Sequence, residues 1–144
     1  MTLGRAVEVS CRMTRIHLLE ERLTRSVIGA FYEVYNTLGF GFLEHVYVMA
    51  LERELIERGH RVAREVSVHV SYKQHVLAVQ RIDMIVDDRV VVEAKSGAEL
   101  PTAAKRQLFN YLRATNLEVG LLFHFGLEPR FHRVVCSNKG SISA

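Results

Sequence analysis

The chain has 144 residues, 49% of them hydrophobic, with 19 basic and 16 acidic side chains and a net charge of +3. That length supports one domain with a substantial core and is short for two. No apolar run reaches the roughly 18 residues of a membrane span, and "MTLGRAVEVSCRMTRIHLL" lacks a contiguous apolar stretch before a small-residue cleavage site, so a cytoplasmic protein without a signal peptide is expected. Cys11 and Cys136 stand near opposite ends with no CxxC, which excludes a disulfide framework or structural zinc. The charge balance permits a nucleic-acid partner without demanding one.

From Ile16 to Leu38 apolar residues recur at Leu19, Leu23, Val27, Ala30, Phe31 and Val34, the period of a helix with one buried stripe. "LGFGF" interrupts it. A second period through Leu43, Val46, Tyr47, Ala50, Leu51 and Leu55 predicts a helix from about Phe42 to Arg58, closed by Gly59. The period then changes to two. Val66, Val68, Val70 and Tyr72 alternate with Ser67, His69 and Ser71, the mark of a strand with one wetter face, and "YKQH" turns the chain. "VLAVQRIDMIV" and "VVVEAKS" flank "DDR" as a second hairpin. Pro101 opens a third helical stretch with Ala104, Leu108, Tyr111 and Leu112 apolar and Asn116 near its end. "VGLLFHFG" and "RFHRVVC" read as closing strands, giving the order ααβββαββ. Residues 15–136 are expected to form the single domain, with 1–14 and 137–144 as disordered ends.

The second hairpin carries charges where a buried strand would carry valine. With Asp87, Asp88 and Arg89 as the turn, Val86 faces Val90, Asp83 falls opposite Glu93 and Arg81 opposite Lys95, so one face collects four charges. A two-residue turn would instead pair Asp83 with Val92. Opposed carboxylates about 5 Å apart destabilise a sheet. Two arrangements relieve them: a salt-bridged ladder on an exposed face, or a divalent cation between the two acids. The surrounding valines favour burial, and buried charges need partners or a metal. Mg²⁺ suits such a pair because it binds through one or two carboxylates and keeps waters and room for a phosphate oxygen. Lys95, two residues past Glu93 on the same face, could hold a water or a developing phosphorane charge.

"GFLEHVY", Gly41 to Tyr47, matches a G-x-x-E-x-x-Y signature, and with "RIDMIVDDRVVVEAK", "QLFNYL" and "GLLFHFG" in the same order it resembles the GxxExxY proteins, a branch of the PD-(D/E)XK nuclease-like superfamily. The resemblance covers about residues 16 to 135. It implies an α/β fold of restriction-endonuclease type: an αβββαβ core with a mixed central sheet flanked by helices, plus an extra N-terminal helix. It also implies a Mg²⁺ site, with Mn²⁺ as substitute, in which Asp83, Glu93 and Glu44 hold the metal, while Lys95 and Gln107 complete the catalytic set. His45, Ala103, Ala104 and His124 depart from the family's usual residues and are given no role. Tyr47 is expected to pack with its hydroxyl on a neighbour, and Gly41 to serve the turn.

The reading that follows is a metal-dependent nuclease hydrolysing phosphodiester bonds in nucleic acid, with DNA as the expected partner and no membrane. A homo-oligomer or a partner protein would supply any sequence specificity. Its rivals are a catalytically silent nuclease-fold module that binds nucleic acid or a partner protein, and a subunit whose charged hairpin is an oligomer interface.

Overall fold

The computed structural model of the chain describes the backbone of residues 2–137 and the side chains of residues 20–137. Three helices, α1 (Thr2–Leu38), α2 (Glu44–Glu57) and α3 (Ala104–Thr115), accompany five strands: β1 (Val62–Tyr72), β2 (His75–Val86), β3 (Val90–Ser96), β4 (Val119–Phe125) and β5 (Pro129–Val135). The order is the one the sequence periods predict. α1 continues back to Thr2, past the Ile16 start of the apolar period, and of the expected C-terminal tail only Ser137 lies among the described residues.

The strands form one mixed sheet in chain order, antiparallel except where β3 and β4 run parallel across the α3 crossover. A parallel pair needs such a crossover, and its two strands are covered on both faces. All seven residues of β4 are buried. On one face Val90, Val92 and Ala94 of β3 and Phe123 and Phe125 of β4 meet Val27, Phe31, Tyr47 and Leu51 of α1 and α2. On the other, Val91 and Leu122 meet Leu108, Tyr111 and Leu112 of α3. Aromatic rings fix the first face: Phe31 stacks on Phe123 with centroids 4.4 Å apart, and Tyr47 on Phe125 at 4.1 Å.

Turns and caps follow local chemistry. Gly59 sits past the end of α2 at φ +89°, and Asn116 caps α3 in the left-handed region that asparagine tolerates. Lys73 and Gln74, both at positive φ, close the β1–β2 hairpin in a two-residue turn. Asp87 and Asp88 take positive φ in the next turn, where the Arg89 amide donates to the Val86 carbonyl. The Asp87 carboxylate accepts from the Arg61 amide and pairs with His60 Nδ1, both at 2.8 Å. Burial pushes that carboxyl up, but those two partners prevail and hold it below the usual carboxylate range. Asp87 is thus committed to tying the turn to the start of β1.

The β1–β2 ribbon departs from the simple alternation expected of it. Val62, Met84 and Val86 face the core under α1 and α2, whereas Val66, Val68 and Ile82, of the same parity, face α3. The reversal falls between them, at Glu65, whose φ is +52°, and Asp83, its missing partner in the ladder. Beyond it the ribbon outruns both helical layers. Val70 and Tyr72, expected on a buried face, are exposed together with Val76, Leu77 and Val79, because no helix extends far enough to cover them.

Candidate metal and catalytic site

The β2–β3 ladder runs from Val86↔Val90 through Met84↔Val92 and then stops, one step short of Asp83 and Glu93. The three-residue turn is therefore the correct register, and the two acids oppose each other where the strands part. Each side chain takes over a bond the ladder has dropped. The Asp83 amide donates to Glu93 Oε1 at 2.9 Å, and the Ala94 amide donates to Asp83 Oδ2 at 2.8 Å. This reciprocal exchange locks both carboxyl groups against the other strand's backbone.

Glu93 is 5% exposed. Burial, followed by the charge of Asp83, pushes its carboxyl up to about 8. Asp83 is raised as well, again by burial first, although the Ala94 amide, Lys95, Arg64 and a hydrogen bond from Glu93 all work the other way. The pair is short of positive charge. Among the described residues every ion pair lies elsewhere, so neither carboxylate has a cation in contact. Without one, the chemistry of two opposed acids leaves a shared proton between them. No three acidic, histidine or cysteine groups among the described residues stand close enough to enclose a metal. Two carboxylates with open oxygens nonetheless fit Mg²⁺ or Mn²⁺, which need few protein ligands and fill the rest with water and substrate oxygens.

The G-x-x-E-x-x-Y stretch builds the wall of this site. Gly41 takes φ +113° in the loop before α2, as the turn requires. Tyr47, fully buried, donates its hydroxyl hydrogen to the Gly39 carbonyl and accepts from the Phe42 amide, so the loop is tied to the helix that follows it. Glu44 opens α2, half-buried, and shares a cleft with Asp83. Burial raises its carboxyl, Lys95 opposes that and Asp83 adds to it, which places all three within range of one another's charge.

Gln107 comes from α3, on the opposite face of the sheet from α2. Glu44 and Gln107 therefore approach the sheet from its two faces. Gln107 bonds to the Tyr111 hydroxyl, which is itself raised by burial and by the charges of Glu93 and Asp83. Tyr111 thus lies within range of both Gln107 and the acids, a relation signalled in sequence only by the four-residue spacing that puts Gln107 and Tyr111 on one helical face.

Arg81 is a correction. It pairs across β1 with Ser67 and is exposed, not opposite Lys95, because the strands have already parted. Arg64, which sequence reasoning missed, is the basic residue that offsets part of the Asp83 charge. Its signal was a charge on the same parity as Val62 and Val66. His124 is a satisfied core histidine whose Nε2 lies 2.8 Å from the Gly97 carbonyl, and His45 is exposed. Among the described residues no helix is long and apolar enough to cross a membrane.

Comparison with known proteins agrees with this layout. The fold is similar to that of the crystallised protein SSO0001, with a TM-score of 0.51 and 20% identity over 63% of this chain and 48% of that one. A weaker likeness is to the alkaline exonuclease LHK-Exo from Laribacter hongkongensis, with a TM-score of 0.43 and 13% identity over 60% and 52% of the two chains. The chain spans about half the length of each. No curated protein matches it. The sequence model of the PD-(D/E)XK nuclease superfamily matches residues 21–134, from α1 to the end of β5 and across every residue of the site. On that match and this architecture, the chain belongs to the PD-(D/E)XK nuclease superfamily.

Proposed function

We propose that the protein is a Mg²⁺-dependent nuclease, able to use Mn²⁺, that hydrolyses phosphodiester bonds in DNA. The observation that carries this reading is the interlocked Asp83–Glu93 pair: two carboxyls fixed by backbone amides, both raised by burial, with no cation of the protein against them. Asp83 and Glu93 would hold the ion, which supplies a Lewis acid for the phosphoryl oxygen and a water of lowered pKa. Lys95 orients that water and offsets charge developing on the phosphorane. Glu44 holds a water at the cleft wall, and Gln107 steadies Tyr111 beside the acids. The membership in a nuclease superfamily supports the reaction class.

The test is cleavage of single-stranded, duplex and branched DNA and of RNA in Mn²⁺, beside Lys95→Met. The parent should cut at least one DNA, and the variant should lose about a hundredfold or more in rate with its melting temperature unchanged. A parent inert on every substrate, or a variant as active as the parent, would overturn the reading.

A further inference from the structure

A cleft of about 450 Å³ opens beside the acids, between the start of α2 and the β1–β2 ribbon, with Leu43, Glu44, Arg64, Arg81 and Asp83 in its lining. We propose that this cleft is a phosphodiester subsite in which Arg64 holds an internal phosphate of the nucleic-acid strand, flanking the one that is cut. The inference rests on the nuclease reading above and adds to it a residue and a ligand.

Arg64 is placed by the reversal of the ribbon. It precedes Glu65, so its side chain faces α2, where Nη1 reaches Glu52 Oε2 at 3.2 Å. That contact fixes one edge of the guanidinium. Nε, on the other edge, is buried and, among the described residues, is the single buried side-chain nitrogen or oxygen without a hydrogen-bond partner. A buried donor left unmade is costly, so a small shift of the Arg64 side chain toward the cleft, where an oxyanion would supply the acceptor, is favoured. Nε and Nη2 lie side by side on the guanidinium, a two-donor fork matched to two oxygens of a phosphate.

The charges around Arg64 are mixed, and the anion depends on a cation at the acids. Glu44, Glu65 and Asp83 line the cleft together with Arg64 and Arg81. Arg64 is near enough to Asp83 to offset part of its charge, yet makes no ion pair with it. A cation held by Asp83 and Glu93 would offset the acids of the cleft and let Arg64 take the phosphate next to the one at the ion. A metal at Arg64 itself is disfavoured by the guanidinium charge.

Binding of fluorescein-labelled single-stranded and duplex oligonucleotides in EDTA, read by anisotropy over a range of salt, tests this without relying on cleavage. Arg64→Gln should bind about tenfold more weakly, and the slope of log affinity against log salt should fall by about one phosphate's worth. Its Mn²⁺-induced rise in melting temperature should stay that of the parent. Arg64→Lys should recover the salt slope and part of the affinity, and covers the case in which the glutamine variant misfolds. Equal affinity and slope in parent and glutamine variant would overturn the subsite. Loss of the Mn²⁺ response along with affinity would make Arg64 a positioning residue for Asp83 instead. An effect seen only with 5′-phosphorylated ends would replace the internal diester by a terminal monoester. A parent that binds no oligonucleotide would overturn the nuclease reading itself.

Discussion

Glu93→Gln isolates the electrostatic cost of the site. The glutamine keeps an oxygen for the Asp83 amide, which now donates to Glu93 Oε1, and its amide nitrogen can donate toward Asp83 as the protonated acid does. A carboxyl raised from 4.5 to about 8 binds its proton more tightly in the folded than in the unfolded chain. Its contribution to stability is therefore full below pH 4.5 and is lost as the pH rises through about 8. Each unit in that window is worth roughly 1.4 kcal/mol, so between pH 5 and pH 7 the metal-free parent should give up about 2 kcal/mol through this group. At a urea slope of about 2 kcal/mol per molar, the midpoint falls by about 1 M. Asp83 and Glu44 are raised too and add in the same direction, so the comparison is between slopes. The variant should match the parent at pH 5 in EDTA and exceed it by about 2 kcal/mol at pH 7. Mn²⁺ at a hundred times its Kd should return about 2.7 kcal/mol to the parent and nothing to the variant. Parallel pH profiles for the two proteins would refute the claim that Glu93 is held protonated. A parent indifferent to Mn²⁺ would favour a silent binding module.

Asp83→Asn retains an acceptor for the Ala94 amide and removes one of the opposed charges. Thermal melts in EDTA should find it as stable as the parent or up to about 1 kcal/mol more so, with the Mn²⁺ response and nuclease activity gone; a clearly destabilised apo variant would mean that Asp83 belongs to a structural charge network. Tyr47→Phe keeps the ring on Phe125 but frees the Gly39 carbonyl and the Phe42 amide. It should cost about 1 to 2 kcal/mol in urea and lower cleavage, since the loop that ends at Glu44 loses its tie. Unchanged stability would show that water replaces the hydroxyl without loss.

The parts of the site that a single local rule governs could be read from the sequence. Asp83 and Glu93 face each other because "DDR" sets a three-residue turn and the register follows by counting outward from Val86 and Val90. Ala104, Leu108, Tyr111 and Leu112 bury as their helical spacing requires. What could not be read depends on the chain leaving its period. Counting onward from Asp83 to Arg81 fails because the ladder ends and the ribbon turns over at a left-handed glutamate, a conformation that nothing in "AREV" demands. The same reversal hid Arg64. The side from which each helix approaches is likewise a property of the α3 crossover, and no spacing within α2 or α3 records it.

The parallel pairing of β3 with β4 bears on the order in which the molecule assembles. A hairpin closed by Lys73 and Gln74 needs only local contacts and belongs to a class that forms in about 1 to 10 μs. The β3–β4 pair cannot close until α3 has been laid across it, and such non-local pairing is slow because loop entropy is lost before contacts compensate. Asp83 sits on the early element, while Glu93 and Lys95 sit on the strand that the late pairing completes. The acids meet within the local β2–β3 hairpin, but their burial, and with it the full cost of their repulsion, waits on the late pairing of β3 with β4. Divalent ions should accordingly act on refolding kinetics as well as on equilibrium: stopped-flow traces in Mn²⁺ should show the slow phase accelerated and the fast one untouched.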